Sequence, residues 1–347
     1  MARDFKENNS TIKDVAILAG VSVATAGRVI GDYGRVSQES REKVQKAVKE
    51  LNYIPNAIAQ GMRKHSTKTI AVVVPNISNN FFSDAVGAIE RITRKEDYNL
   101  LICNTHESQT TELQYMEMLH HKQVDGIILA STFNDKRSIP EKSLYLYLDL
   151  PVILFDRRIK GFDLDIVESE HQKAAYVATK YLIDLGHTKI VAIGSLSKHI
   201  TTTIIDRVNG YKKALKEARI PFCKDFVFNL DYENDNDAEL KLKPLLDQHK
   251  VTAIIILNNS LCASVLQVLQ KNGTKIPEDI SVINWDDEKY CELLDITTID
   301  QQVAAIGKYA AERLFYYING ANSIEDKKVS MNLKTRLIIR GSCRSLI

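Results

Sequence analysis

The sequence has little that would support a secreted, membrane-embedded or catalytic protein. Its five cysteines are odd in number and widely spaced and form no Cys-x-x-Cys pair, which argues against a disulfide framework or a zinc site. No run of about 18 apolar residues occurs, and the polar start MARDFKENN lacks the apolar core of a signal peptide. A glycine-rich phosphate loop, HExxH and GxSxG are also missing. We therefore expect a cytoplasmic protein that is not an enzyme and uses neither a metal nor another cofactor.

The charges are unevenly distributed along the 347 residues, a length that suits two or three domains. Residues 1–68 hold 12 Lys and Arg against 7 Asp and Glu, whereas the rest holds 34 against 37. A basic head on a mildly acidic body indicates that the head contacts a polyanion. A solvated basic surface would give the same charge balance, so charge alone leaves both interpretations open.

The head has the pattern of a helix-turn-helix. Thr11 can cap a first helix that Gly20 ends, and Ser22 can cap a second helix from Val23 to about Ile30. A third amphipathic helix follows, with Ser37 as its cap. In this motif the second helix enters the major groove by its N-terminal residues, so the pattern predicts a DNA-binding unit; a plain three-helix cap domain is the alternative.

A short linker follows, NYIPNAIAQGMRKHSTKT, for which we expect one short helix after Pro55 with Asn56 as its cap. One or two helical turns are unstable alone in water. We expect this hinge helix to form when it pairs with a copy of itself or lies on DNA.

These segments resemble the LacI/GalR family of bacterial transcription regulators. The resemblance runs in order through TIKDVAILAGVS, ATAGRVI, REKVQKAVKELNYIPNAIA and TKTIAVVVPNISNNFF, and continues over nearly the whole chain. It implies a homodimer on a palindromic operator, with paired hinge helices in the minor groove and a core that binds a small effector. The DNA contacts expected from it are Thr11, Ser22, Val23, Ala24, Thr25, Arg28, Asn56, Ala57, Ala59 and Met62.

The chain departs from the family pattern in the recognition helix and the hinge. Ala26-Gly27 stands where the family has Val-Ser, and Gln60 and Met62 stand where it has arginine and leucine. Glycine in mid-helix costs up to about 1 kcal/mol against alanine. Methionine is still an apolar side chain that can part a base step, so we expect Met62 to be the wedge.

The core alternates short apolar runs with amphipathic helical stretches, which predicts an α/β fold with parallel sheets. The number of runs suggests two similar lobes, and their order resembles the type I periplasmic binding-protein fold. We expect a helix-turn-helix domain at 1–54, a hinge at 55–67 and a two-lobed core at 68–347. Lobe 1 is expected at about 68–166 and 297–329, and lobe 2 at about 167–296 and 330–347. The chain leaves no room for a tetramerising tail after RGS, so a dimer is expected.

Ligands of such sheets bind beyond the carboxyl ends of the strands. The polar and aromatic residues at those ends also match the ribose-type binding proteins, which implies a sugar site. The expected effector contacts are Asn79, Phe81, Phe82, Asp156, Arg157, Arg207, Tyr232, Asn258, Asp286 and Gln301. We expect Asp286 and Arg207 to pair and an aromatic ring to cover a sugar face. Asn80 and Asn259 depart from the family pattern at the rim.

The function predicted is a repressor of carbohydrate-utilisation genes that a sugar releases from its operator. An activator, a regulator with a purine or protein co-effector, and a sugar-binding protein without a regulatory role are the alternatives. A transport protein is opposed by the helix-turn-helix and the missing signal peptide. An enzyme on the same fold would be recognised by turnover of a sugar.

Overall fold

A computed structural model describes residues 10–53, 66–195, 200–231, 237–249, 251–320 and 328–347. The chain divides into two compact units, residues 1–68 and residues 69–347. Within the described residues, no helix combines the length and the apolar character that crossing a membrane requires.

The first unit contains three helices, α1 (Ile12–Ala19), α2 (Val23–Ile30) and α3 (Gln38–Glu50). The side-chain caps predicted at Thr11, Ser22 and Ser37 are confirmed, and α1 ends at Gly20 in the left-handed conformation, with φ of 65°. The small core between the helices is made of Val15, Ala16, Ala19, Ala26, Val29, Val44 and Ala47. Its residues are mostly small, so the unit buries little apolar surface.

The second unit consists of two lobes, each built on one parallel-rich sheet. The elements of the first lobe are β1 (Thr69–Val74), α4 (Asn80–Lys95), β2 (Asn99–Asn104), α5 (Gln109–His121), β3 (Gly126–Leu129), β4 (Val152–Phe155), β5 (Asp165–Ser169), α11 (Val303–Ile318) and β11 (Ser330–Leu333). Those of the second lobe are α6 (His171–Asp184), β6 (Ile190–Ser195), α7 (Thr202–Glu217), β7 (Val227–Leu230), α8 (Asp237–His249), β8 (Ala253–Ile256), α9 (Cys262–Lys271), β9 (Ser281–Trp285), α10 (Lys289–Leu293), β10 (Thr297–Asp300) and β12 (Arg336–Ile338).

Among the described residues the strands form two six-stranded sheets, in the orders β11-β5-β4-β3-β1-β2 and β12-β10-β9-β8-β6-β7. The same order recurs in both lobes, so the strands correspond one to one. All neighbours are parallel except β10 and β12, which pair antiparallel. The apolar runs recognised in the sequence include the central strands β1, β3, β4, β6, β8 and β9, where helices cover both faces.

In each lobe, one pair of helices packs at very short distance. A Cβ on Gly307 of α11 would lie 2.4 Å from the carbonyl oxygen of Ala85 in α4. A Cβ on Gly210 of α7 would lie 2.0 Å from the carbonyl oxygen of Gln172 in α6. Each lobe therefore packs one helix pair that only glycine permits.

The chain crosses between the sheets three times, each time a few residues later than the sequence predicted. Strand β10 pairs with β9 in the second sheet, although residues 297–329 were expected in the first lobe. Strand β11 pairs with β5 in the first sheet, although residues 330–347 were expected in the second lobe. The crossovers lie near 170, 301 and 334, because each strand stays in the sheet of its own lobe up to its carboxyl end and the chain passes over only there.

Candidate functional site

A polar cavity lies between the two lobes, beyond the carboxyl ends of the strands. Nine of the ten residues expected at an effector site are among those that line it. The lining residues are Asn76, Asn79, Phe81, Phe82, Glu107, Asp156, Arg157, Thr201, Thr203, Ile204, Arg207, Asn258, Asn259, Ser260, Asp286 and Gln301. The tenth expected residue, Tyr232, lies outside the described residues.

Two aspartates occupy corresponding positions in the two lobes. Asp156 follows β4 and Asp286 follows β9, and both adopt a left-handed backbone, with φ of 61° and 70°. The amide of each donates to the adjacent strand, to Val167 O and to Ile299 O, at 3.0 Å. Aspartate tolerates this conformation better than most residues. The repeated turn places one buried carboxylate on each side of the cleft.

Arg157, the neighbour of Asp156, is held by a glutamate that the sequence analysis missed. Its two terminal nitrogens donate to Glu107 Oε2 and Oε1 at 2.7 and 2.8 Å, the bidentate arrangement that suits guanidinium and carboxylate. The guanidinium carbon also lies 5.5 Å from the centroid of the Phe82 ring. Phe82 is 4% exposed and packs edge-on against Phe155, so it belongs to the core as well as to the cavity wall.

Arg207 is buried at the base of the second lobe's wall. Its guanidinium lies 4.1 Å from the centroid of the Trp285 ring, and Nη1 donates to Leu257 O at 2.6 Å. Burial lowers its pKa to about 10, although Asp156 and Asp286 oppose this shift. It is therefore a cation at neutral pH.

His171, the first residue of α6, connects the arginine of one lobe to the aspartate of the other. Burial and the charge of Arg207 lower its pKa well below the usual value, so the imidazole is neutral. Its Nδ1 lies 3.3 Å from Arg207 Nη2 and accepts that donor, which leaves the proton on Nε2. Nε2 lies 3.6 Å from Asp156 Oδ1.

The pairing expected between Asp286 and Arg207 is indirect. Gln301 Nε2 donates to Asp286 Oδ1, and Gln301 Oε1 lies 3.5 Å from Arg207 Nη2. Because a glutamine amide both donates and accepts, Gln301 bridges the carboxylate of Asp286 and the guanidinium of Arg207. Burial raises the pKa of Asp286 to about 7, against the opposing effect of Arg207.

One mouth of the cavity is closed by side chains from both lobes. Asn79 and Asn259 exchange amide hydrogen bonds, and Asn79 Nδ2 also donates to Ser260 Oγ at 3.0 Å. Asn80 Nδ2 donates to Glu288, whose Oε1 accepts from Asn259 Nδ2 at 2.8 Å. We call Asn79, Asn80, Asn259, Ser260 and Glu288 the asparagine latch. The two rim positions that depart from the family pattern, Asn80 and Asn259, both belong to it.

A second set of contacts joins the two lobes through residues that do not line the cavity. Arg158 of the first lobe donates through Nη2 to Asp206 of the second, and through Nη1 to Glu168 at 2.8 Å. The amide of Arg158 donates to Thr202 Oγ1 at 3.2 Å. Asn134 Nδ2 donates to the carbonyl of Ile200. The lobes are thus joined by two separate sets of hydrogen bonds.

The first unit exposes most of the residues expected to meet DNA. Val23, Ala24 and Arg28 are exposed on α2, while Ala26 and Val29 face the core. Ser22 and Thr25 lie at the start of α2, with their hydroxyl oxygens 2.9 Å apart. Asn56, Ala57, Ala59 and Met62 lie outside the described residues, as does the departure at Gln60.

A family model described as periplasmic binding proteins and sugar binding domain of LacI family matches residues 67–337. The model described as bacterial regulatory proteins, lacI family, matches residues 11–56. The HTH-type transcriptional repressor PurR of Vibrio parahaemolyticus is 32% identical, over 97% of this chain and 99% of its own. The ribose operon repressor of Haemophilus influenzae is 33% identical over the same shares of the two chains.

Two solved structures are similar to this fold. A LacI family transcriptional regulator from Enterococcus faecium with bound ribose is 27% identical, with a TM-score of 0.69, covering 80% of this chain and 100% of that one. The lac repressor dimer bound to operator and the anti-inducer ONPF has a TM-score of 0.82 and covers 97% of this chain and 100% of that one. At 23% identity the latter likeness concerns the fold alone.

A helix-turn-helix unit joined to a two-lobed core with a polar cleft defines the class of effector-responsive DNA-binding regulators. The chain belongs to the LacI family of bacterial regulatory proteins. It is a DNA-binding regulator of transcription.

Proposed function

We propose that this regulator represses carbohydrate-utilisation genes in the cytoplasm and leaves a palindromic operator when a small sugar binds in the cleft. The observation that carries the proposal is the convergence of polar groups from both lobes on one cavity: Asp156 and Arg157 from the first, Arg207 and Asp286 from the second. Charged and planar polar groups recognise the hydroxyls of a sugar by hydrogen bonds. The ribose-bound relative supports the same class of ligand.

The effector residues are proposed by the same reasoning. Asp156, Asp286 and Gln301 accept or donate at sugar hydroxyls, Arg157 and Arg207 donate, and Phe81 presents a ring beside them. Asn258, whose side chain caps the turn at Ser260, supports the floor. A ligand that touches both lobes favours the closed arrangement over the open one by its differential contacts. Operator and sugar then weaken each other's binding by the same factor.

The operator residues are proposed on the exposure of α2 and on the family resemblance. Arg28 reads a guanine by a bidentate contact, and Val23 or Ala24 touches a thymine methyl. Met62 is the proposed wedge in the hinge, with Asn56, Ala57 and Ala59 beside it. Replacing Met62 with alanine should reduce DNA bending and specific affinity while sugar binding persists. Unchanged bending and affinity would show that Met62 only packs within the linker.

A homodimer is the proposed assembly. The edge strand β2 exposes Leu101 and Ile102, which are 37% and 53% exposed and lie next to each other at the margin of the first sheet. Self-association through this edge would cover them. Sedimentation velocity of the full chain tests the assembly, and an Ile102→Asp variant that sediments unchanged would remove this edge from the interface.

A purine effector is the second candidate, because the chain is similar to a repressor named PurR. The decisive experiment is fluorescence anisotropy with operator DNA selected from random duplexes, titrated in parallel with monosaccharides and nucleobases. Release by a sugar supports the sugar-responsive repressor. If a nucleobase tightens operator binding and no sugar changes it, the protein is a purine-responsive regulator instead.

A further inference from the structure

The cavity has few positive charges to offer a ligand, and one of them is already neutralised. Among the described residues that line it, Arg157 and Arg207 are the cationic side chains. Arg157 directs both terminal nitrogens to Glu107, and the side chains of this pair are 8% and 16% exposed. A bidentate pair of this kind is satisfied in geometry and in charge. An incoming anion would have to compete with Glu107 for the same donors.

The two terminal nitrogens of Arg207 are similarly engaged. Its Nη1 donates to Leu257 O, its Nη2 lies against His171 Nδ1 and Gln301 Oε1, and its plane stacks on Trp285. The negative charges of Asp156 and Asp286 act on it from the two lobes. The guanidinium therefore balances carboxylates that are already present.

The carboxylates of the cavity wall outnumber the guanidiniums. Glu107, Asp156 and Asp286 face two arginines, and Asp156 and Asp286 are only 5% and 8% exposed. Burial is the main cause that raises the pKa of both aspartates, and the arginines oppose it. The latch adds Glu288 at the mouth, with its carboxylate bonded to Asn80 and Asn259.

We infer that the effector is an uncharged, hydroxyl-bearing molecule, and that its anionic relatives, the phosphate esters and sugar acids, are excluded because each guanidinium of the described wall already faces a carboxyl group. This rests on the proposed function, since it names the class of sugar that the cleft accepts. Hydroxyls suit the wall because they can donate to its carboxyl oxygens. A phosphate or carboxylate can only accept, and it adds charge to a closed, poorly solvated space.

The test is isothermal titration of the full chain with matched neutral and anionic ligands: glucose and glucuronate, galactose and galacturonate, ribose and ribose 5-phosphate. The sugar acids differ little in size from the sugars, so they separate charge from bulk. In each pair whose neutral sugar binds, we expect that sugar to bind at least about 100-fold more tightly than its anion. The reason is that a second negative charge buried beside a carboxylate is unfavourable. Equal or tighter binding of the anion overturns the inference and leaves the sugar-responsive repressor standing.

A charge variant makes the test independent of the choice of sugar. Glu107→Gln removes one carboxylate and releases Arg157, so discrimination against the anion should fall by about tenfold or more. Glu117→Gln, an exposed carboxylate on α5, makes the same change in net charge away from the cavity and should leave the ratio unchanged. Equal ratios in the two variants contradict the charge argument. If no sugar of either charge binds wild type or alters operator affinity, the proposed function itself fails.

Discussion

Asn79 and Asn259 exchange two amide hydrogen bonds across the cleft, one in each direction and each 3.0 Å long. Asn79 Nδ2 also donates to Ser260 Oγ, and Asn79 Oδ1 accepts from the amide of Phe81. An asparagine amide has two donor hydrogens and one acceptor oxygen with two lone pairs. All of these are in use, so Asn79, expected from the sequence to contact the effector, holds the lobes together in this closed structure.

The latch predicts that Asn259→Ala weakens effector binding by about tenfold, because hydrogen bonds made only in the closed state are lost. Asn272→Ala is the matched control, since its side chain bonds to Val268 O within α9 and touches one lobe only. Titration calorimetry measures the affinity, and small-angle scattering of the effector-free protein should report a larger radius of gyration for Asn259→Ala. Identical scattering and affinity in the three proteins would show that these bonds do not govern closure.

Asp286→Ala is expected to remove effector binding while operator binding persists and no longer responds to sugar. The loss of binding free energy should reach several kcal/mol, on the order of 2–4. The reason is that Gln301 loses its hydrogen-bond acceptor and the guanidinium of Arg207 loses a nearby negative charge. Anisotropy with operator, repeated with and without sugar, follows both sites in one experiment. Sugar affinity equal to that of wild type would place the effector elsewhere.

Arg28→Ala is expected to weaken operator binding by about 1–3 kcal/mol and to relax the preference at one base pair per half-site. Lys46→Ala, on the exposed face of α3, removes one positive charge without touching α2 and should lower operator and random DNA affinity alike. Anisotropy against single-base operator variants separates the two effects. A uniform loss for Arg28→Ala across all sequences would make Arg28 a phosphate contact.

The strand ends of the site were predictable because the carboxyl ends of parallel strands meet at one edge. Asp156 and Asp286 could be located from the apolar runs PVILF and SVINW alone, without knowledge of the fold's internal repeat. The caps of the first three helices were equally local, since each depends on one side chain and the next turn.

The partners across the cleft could not be predicted in this way. Glu107 lies in a loop 50 residues before Arg157, and Asn259 lies 180 residues after Asn79. Strand β5 was also not predicted from the sequence. Its segment DIVES carries two acidic residues, and their burial depends on ion pairs with residues that are distant in the sequence. Asp165 bonds to Arg313 at 2.9 Å, and Glu168 bonds to Arg158 at 2.8 Å. A hydrophobicity pattern cannot reveal a charge that tertiary contacts neutralise.

The buried carboxylate of Asp286 also predicts how stability depends on pH. Its pKa is raised from 3.8 to about 7, chiefly by burial, with Asp156 and Glu288 adding negative charge and Arg207 and Gln301 opposing. Between these values the folded protein binds more protons than the unfolded chain, so this group's contribution to the free energy of unfolding falls as pH rises and levels off above pH 7.

Asp286→Asn removes this titration and should therefore be more stable than wild type at pH 8, by about 2–4 kcal/mol, with the difference shrinking toward pH 5. Trp285, the single tryptophan, is fully buried beside the group and reports unfolding of the core by its fluorescence in urea. Asp163→Asn, an exposed aspartate of the first lobe, should leave the pH profile unchanged. A stability difference between Asp286→Asn and wild type that stays constant from pH 5 to 8 would contradict the raised pKa of Asp286.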